Sequence, residues 1–315
     1  MGEPVSGSVV VRAAGVDDAA LVVDLIHRSF STRPVLDPPA TAMSETEATV
    51  AAALRAAGGL IAEHEGVPVG SLLFAPEGPR LRLRRVGVLA EVRHHGIAHQ
   101  LTNAAARYAA RAGYDRLVLE ARAELPATVH FWVGQGYVEV DRDGPRLQMV
   151  RALPVSGTLT SVDDTHKLAR EIAALTRPGD VVLLSGDLGA GKTTFTQGFG
   201  EGLGVRGPIT SPTFVIARSH PSLVGGPGLV HVDAYRLPNS AELDDLDLDT
   251  DLDTAVTVVE WGEGIAEQLS DDRLEIALRG QEDGSRSVTV RRWGARWADV
   301  GFEHIAALSS TGGVL

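Results

Sequence analysis

An α/β chain of two domains is predicted, a mixed α/β half followed by a phosphate-loop NTPase half, and three observations predict it. At 315 residues the chain is long for one core and suits two domains of ordinary size. Apolar runs of strand length alternate with helix-length periodic segments through both halves. In the second half Ser185-Gly186-Asp187-Leu188-Gly189-Ala190-Gly191-Lys192-Thr193-Thr194 completes the pattern GxxxxGKT directly after the apolar run Val181 to Leu184, and Thr193 to Leu203 reads as the helix such a loop opens.

Periodicity gives a strand near Val9 to Ala13, a helix from Asp17 to Phe30, a Pro-rich loop around Pro34 to Pro39 and a helix from Ser44 to Ala57. Leu60 to Glu63, Val69 to Phe74 and Leu81 to Val88 follow as a meander of three strands, separated by turn segments such as Glu65-Gly66 and Pro76 to Pro79. A helix from His95 to Arg111, a strand from Arg116 to Glu120, a helix from Ala127 to Gly134 and strands near Val138 and Leu147 complete this half. The segment 154–159, with Pro154 and Gly157, is the expected linker between domains 1–153 and 160–315. A helix from Val162 to Thr176 opens the second half. Phe214 to Ala217, Leu229 to Val232 and Val256 to Val259 are its further apolar strands, with Leu274 to Leu278 and Ser287 to Arg291 near the end.

A hydrophobic fraction of 44% is that of a globular protein, and the absence of cysteine excludes disulfides, thiolate metal sites and a cysteine nucleophile. Met1 to Ser8 has no basic start or apolar core, and no apolar run approaches the ~20 residues of a membrane span. A cytoplasmic location without membrane contact is the expectation. The formal net charge of −12 disfavours an independent grip on nucleic acid, so a nucleic-acid role would pass through a partner. The basic cluster Arg80, Arg82, Arg84 and Arg85 alternates with Leu81 and Leu83; one exposed strand face is the first reading and an acidic-ligand site the second. The acidic run Asp244 to Asp253 lacks the central Gly and closing Glu of a calcium loop and reads as solvated surface.

The phosphate loop makes specific demands. Its glycines let backbone N–H groups turn toward phosphate oxygens, Lys192 places a positive charge on the outer phosphates, and Thr193 offers a hydroxyl to Mg²⁺. The helix N-terminus adds its dipole. Carboxylates for the magnesium shell and the attacking water belong at neighbouring strand ends, where Asp233 and Glu260 stand.

In order and spacing, Gly186 to Thr194, Ser211-Pro212-Thr213-Phe214, His231-Val232-Asp233-Ala234-Tyr235-Arg236-Leu237 and Val259-Glu260-Trp261 resemble the TsaE family over about Thr160 to Val300. The resemblance implies the ATPase subunit of the bacterial machinery that places threonylcarbamoyl on N6 of the tRNA adenosine beside the anticodon, with TsaB and TsaD proteins as partners and tRNA met only indirectly. It further implies ATP and Mg²⁺, with the metal on Thr193 and Glu260. The phosphates would lie on Lys192 and the Gly189 to Thr194 backbone, Asp233 near the γ-phosphate and water, and Trp261 beside the nucleotide. A packed core indole remains the alternative for Trp261. Ser211 and Thr213 sit where a switch-like loop would sense the nucleotide. A small-molecule kinase is the rival reading, with Arg218 or Arg236 as its lid arginine.

In the first half, Arg93-His94-His95-Gly96-Ile97-Ala98 lies between a strand ending near Val88 and a long helix, a place where backbone N–H groups can approach a pyrophosphate. With the strand to Glu120, Phe131-Trp132 and Gly136-Tyr137, this resembles the GNAT acetyltransferases, RimI-like members among them, over about Val9 to Arg151. The resemblance implies acetyl-CoA, its pantetheine along Val88 and its pyrophosphate around Arg93, His94, His95, Gly96, Ile97 and Ala98. Glu120 matches the glutamate base of RimI-like members, but Trp132 stands where they carry a tyrosine acid. Glu120 could equally pair with Arg116 or Arg122, and the half could equally be a docking or acetyl-CoA-sensing module without turnover.

Overall fold

The computed structural model describes residues 8–34, 36–37, 39, 41–93, 95–237, 242–243, 254–302 and 305; His94 and the acidic run Asp244 to Asp253 lie outside them. The chain divides into two compact units, Met1–Leu153 and Pro154–Leu315.

The first unit is built on a seven-stranded sheet of order β1-β2-β3-β4-β5-β7-β6. The strands are β1 (Val9–Ala14), β2 (Gly59–His64), β3 (Val67–Glu77), β4 (Arg80–Val88), β5 (Arg116–Arg122), β6 (Val138–Asp143) and β7 (Arg146–Ala152). The β2–β3 hairpin turns through Glu65 and Gly66, both at positive φ, which matches the twist of the flanking strands. Helices α1 (Ala19–Ser31) and α2 (Glu47–Ala57) bury Val22, Leu25, Ile26, Val50 and Leu54 with Ile61 and Leu73 on one face of the sheet. Thr46 caps α2 by accepting the Thr49 N–H. Helix α3 (Ile97–Arg111) buries Ile97, Leu101 and Ala105 with Leu81, Leu83, Leu117 and Leu119 on the other face, where Trp132 of α4 (Pro126–Gly134) joins them.

Two departures from regularity shape this unit. The parallel strands β4 and β5 pair only at Arg80↔Arg116, Leu81↔Leu117 and Arg82↔Val118. Farther along, β4 carries a register shift against β3 and Arg85 adopts φ 53°, a bulge that bends the strand. The strands therefore separate, and a cavity of about 620 Å³ opens between them.

The second unit has a seven-stranded sheet of order β10-β11-β12-β9-β13-β14-β8. Its strands are β8 (Val155–Leu159), β9 (Val181–Ser185), β10 (Ala217–His220), β11 (Gly228–Asp233), β12 (Ala255–Glu260), β13 (Arg273–Gly280) and β14 (Arg286–Trp293). The parallel block β11-β12-β9-β13 is the core, and the near-continuous burial of β11, β12 and β9 fits strands covered on both faces. Helices α5 (Val162–Ala173) and α6 (Lys192–Leu203) pack closely because Gly198 and Gly202 face the α5 backbone, where a Cβ at Gly198 would meet His166 Cα at 2.6 Å. Phe195, Phe199, Phe302 and Trp297 of α7 (Ala295–Ala298) fill the core on that side.

Two expectations are corrected. Most of the segment read as a linker, 154–159, is strand β8, paired antiparallel to β14 at the sheet edge; Val155, Gly157 and Leu159 point inward while Ser156 is exposed and Thr158 half-buried. Phe214 to Ala217 is a turn up to Ile216, since Val215 and Ile216 both donate to Pro212 O and Ile216 takes φ 65°; the strand begins at Ala217. No helix among the described residues is long and apolar enough to cross a membrane.

Candidate functional site

At the C-terminal end of β9 the chain turns through Gly186, Gly189 and Gly191, all at positive φ, before α6 begins at Lys192. Gly186 is enforced twice over: its φ is 141°, and a Cβ would lie 2.1 Å from Leu278 O. Because Gly191 caps α6 without a side chain, the first-turn N–H groups stay available to a ligand. Lys192 Nζ donates to Gly186 O at 2.7 Å and Asp187 O at 2.9 Å, and lies 3.6 Å from the ring centroid of Trp261. Burial lowers its pKa, while Glu260, Asp233 and Asp187 pull the other way.

Parallel pairing sets the acids beside this loop. Asp233 of β11 is the register partner of Glu260 of β12, and Glu260 that of Leu184 of β9. Glu260 is 2% exposed; it accepts from Thr193 Oγ1 at 3.1 Å and from Thr196 Oγ1 at 3.2 Å, and pairs with His231 Nε2 at 2.9 Å. Asp233 accepts from the hydroxyls of Ser211 and Thr213, each at 2.6 Å, and from the Tyr235 N–H at 3.1 Å. Burial opposes the Asp233 charge, but these bonds and His231 outweigh it and hold the carboxyl below its ordinary range. Trp261 takes φ 63° and donates its N–H to Leu184 O, so its half-buried ring lies by the phosphate loop rather than in the core. A cavity of about 800 Å³ adjoins Gly186, Asp187 and Trp261. Of the rival lid arginines, Arg218 bonds Thr210 and Arg236 lies over Phe214.

In the first unit, Gly96 at φ 70° opens α3 without a side-chain cap, and the first helical bond from the new turn is Gln100 N–H to Gly96 O. The Ile97 and Ala98 amides thus precede the helix ladder, as an anion site needs. Val88 ends β4 nearby, Arg93 donates to Thr32 Oγ1 at 3.1 Å, and His95 Nδ1 lies 3.2 Å from Val92 O. Glu120 sits across the gap on β5, lining the 620 Å³ cavity with Trp132. Its cation neighbour is Arg146 at 3.9 Å; Arg122 bonds Glu124 and Arg116 bonds Asp115. Trp132 is 6% exposed and packs edge-on to Phe131 and Tyr137. Tyr137 is fully buried, its hydroxyl has no hydrogen-bond partner among the described residues, and burial pushes its pKa up, so it fills the packing role.

Residues 159–288 match the family model for the threonylcarbamoyl adenosine biosynthesis protein TsaE. Over 138 residues, 42% of this chain and 93% of the relative, the sequence is 60% identical to the tRNA threonylcarbamoyladenosine biosynthesis protein TsaE of Streptomyces coelicolor. The chain belongs to the TsaE family. The TsaE protein of Bacillus subtilis is 43% identical over 136 residues, which cover 43% of this chain and 84% of that protein. Residues 23–137 match the acetyltransferase (GNAT) family model, so a GNAT domain precedes the TsaE domain. A solved structure of the PaiA N-acetyltransferase from Thermoplasma acidophilum with coenzyme A is 14% identical, with a TM-score of 0.42, covering 46% of this chain and 99% of that one.

Three residues of these clusters carry no role in the sequence reading: His231, Thr196 and Arg286. Arg286 Nε donates to Ala190 O at 3.0 Å, and a Cβ on Gly191 would meet the same Nε at 3.1 Å. His231 offered a signal, since it lies two residues before Asp233 on one strand and so shares its face. Thr196 and Arg286 offered none, because their contacts with Glu260 and Ala190 span 64 and 96 residues.

Proposed function

We propose that the TsaE unit is a magnesium-dependent ATPase in threonylcarbamoyladenosine synthesis, acting with TsaB-like and TsaD-like proteins and meeting tRNA only through them. The observation that carries this is the 3.1 Å contact of Thr193 Oγ1 with Glu260 Oε2 at the mouth of an uncapped glycine loop. Thr193 and Glu260 would hold Mg²⁺, the backbone N–H groups of Gly186 to Thr194 and Lys192 would hold the phosphates, and Trp261 would flank the nucleotide. When bound, Mg²⁺ neutralises phosphate charge and ATP supplies the anhydride whose hydrolysis resets the complex. Asp233, ionised and fixed by Ser211 and Thr213, orients the water. Leu188 and Phe214, 91% and 86% exposed, support a partner surface at the loop. The test is threonylcarbamoylation of tRNA by TsaB-like and TsaD-like proteins with this chain added: turnover restored by wild type and not by Lys192→Ala supports the reading, and equal restoration by both refutes it.

For the GNAT unit we infer an N-acetyltransferase of cytoplasmic amines. The uncapped α3 amides fit a pyrophosphate, the Val88 end of β4 fits a pantetheine, and acetyl-CoA when bound supplies the thioester. Glu120 would take the amine proton. The burial of both Trp132 and Tyr137 favours a second reading, acetyl-CoA binding without turnover. Free thiol released on incubation with acetyl-CoA and an amine panel separates the two.

A further inference from the structure

Among the described residues six arginines, Arg33, Arg82, Arg84, Arg85, Arg122 and Arg146, line the 620 Å³ cavity together with a single carboxylate, Glu120. In a chain of net charge −12 this is a local reversal of sign. Counterions meet it only in part. Glu77 bonds Arg82, Glu124 bonds Arg122 at 2.7 Å, Arg84 and Arg85 share Glu45 at 3.7 and 2.7 Å, and among the described residues Arg146 has only Glu120, at 3.9 Å. Arg33 has no carboxylate partner among the described residues; it donates to Val86 O at 3.2 Å and its guanidinium lies 3.7 Å from the Phe30 ring centroid. Burial, with Arg93 nearby, pushes the Arg33 pKa down to about 10.

Strand alternation says which ligand this charge serves. Leu81, Leu83, Leu117 and Leu119 pack with α3, so Arg82, Arg84, Glu120 and Arg122 point to the opposite face, that of α1 and α2. Helix α3 packs on the first face, which the cavity reaches through Leu83, Leu119 and Trp132. Arg93 lies near Arg33, so cofactor phosphates held at the start of α3 reach that arginine's neighbourhood and leave Arg84 and Arg146, on the Glu120 side, unanswered.

Resting on the acetyltransferase reading above, we propose that the acceptor is itself anionic, a carboxylate- or phosphate-bearing amine whose negative group is held by Arg33, Arg84 and Arg146 while its nitrogen meets Glu120. The acceptor ammonium loses one proton to Glu120, and its neutral nitrogen bonds the acetyl carbonyl carbon. The C–S bond breaks with its electron pair on sulfur, and the proton then shed by nitrogen balances the one the thiolate takes up. The products are an N-acetylated anion and free CoA.

The test uses the full chain with two matched pairs, L-aspartate against L-asparagine and O-phosphoethanolamine against ethanolamine, and spermidine as cationic control. Thiol release is free of background because the chain has no cysteine, and calorimetry in saturating CoA reads binding without turnover. The anionic member of at least one pair should lead by about tenfold or more in kcat/KM and Kd, and the leading pair names carboxylate or phosphate as the ligand. Arg33→Gln and the solvent-side Arg146→Gln should each weaken that probe about tenfold, with acetyl-CoA KM unchanged and partial rescue in Arg146→Lys. Thiol release that favours neutral amines or spermidine overturns the anionic acceptor while keeping the acetyltransferase. A raised acetyl-CoA KM in the variants overturns it by assigning the arginines to CoA. Arginine-dependent binding of an anionic probe without thiol release keeps the anion site and sinks turnover, and binding of no probe sinks the site.

Discussion

His231 Nε2 lies 2.9 Å from Glu260 Oε1, and both side chains are almost wholly buried at 0% and 2% exposure. That contact, with the bond from Thr196, leaves Oε2 of the same carboxylate for Thr193. Replacing His231 by Leu strips a polar contact from a buried carboxylate. The expected loss is about 1–3 kcal/mol in urea unfolding, with a higher Mg²⁺ concentration for half-maximal ATP hydrolysis. His231→Gln, which keeps a donor, should lose less of both.

The loop glycines should separate by mechanism. Gly186→Ala drives a Cβ to 2.1 Å from Leu278 O at φ 141°, whereas Gly189→Ala meets nothing within 4 Å and strains only a φ of 80°. Gly189→Ala is expected to cost about 1 kcal/mol. Gly186→Ala should abolish binding of a fluorescent ATP analogue and lower the unfolding midpoint far more.

Acid should act through Asp233. Its folded pKa lies below the unfolded value of about 3.9, so its contribution to stability is full above that value and is lost as pH falls through the depressed folded pKa. Asp233→Asn removes this linkage. Urea midpoints from pH 7 down to about 3 should therefore fall less steeply in Asp233→Asn than in wild type at the acid end.

In the GNAT unit, indole cannot return a proton to a thiolate. Trp132→Tyr, at a position that already lines the Glu120 cavity, should raise kcat for thiol release and leave acetyl-CoA KM within about twofold. Steady-state kinetics with the best amine acceptor checks it.

The legible part of this protein is the part written in local constraint. Three glycines, a lysine and a threonine in ten residues can be read without knowing the fold, and acids at strand ends can be read once the strands are. Strand β8 was obscured by Pro154 and Gly157, although Val155, Gly157 and Leu159 carry the inward period of two. The arginine cavity was obscured in another way. Arg80 to Arg85 alternates with leucine and looks like a solvated face, but the Arg85 bulge and the parting of β4 from β5 turn that face into a lining. Bulges and strand separation arise from long-range pairing and leave little trace in a short window.

The most direct test of the central claim is Mg²⁺-dependent hydrolysis of ATP by the full chain, with ADP and phosphate both counted, in wild type, Lys192→Ala and Glu260→Gln. Equal ADP and phosphate without any acceptor, dependence on Mg²⁺ and near-complete loss in both variants are expected from Lys192 over the loop and the Thr193–Glu260 pair. Wild-type rates in both variants, or ADP formed without phosphate, would contradict the account.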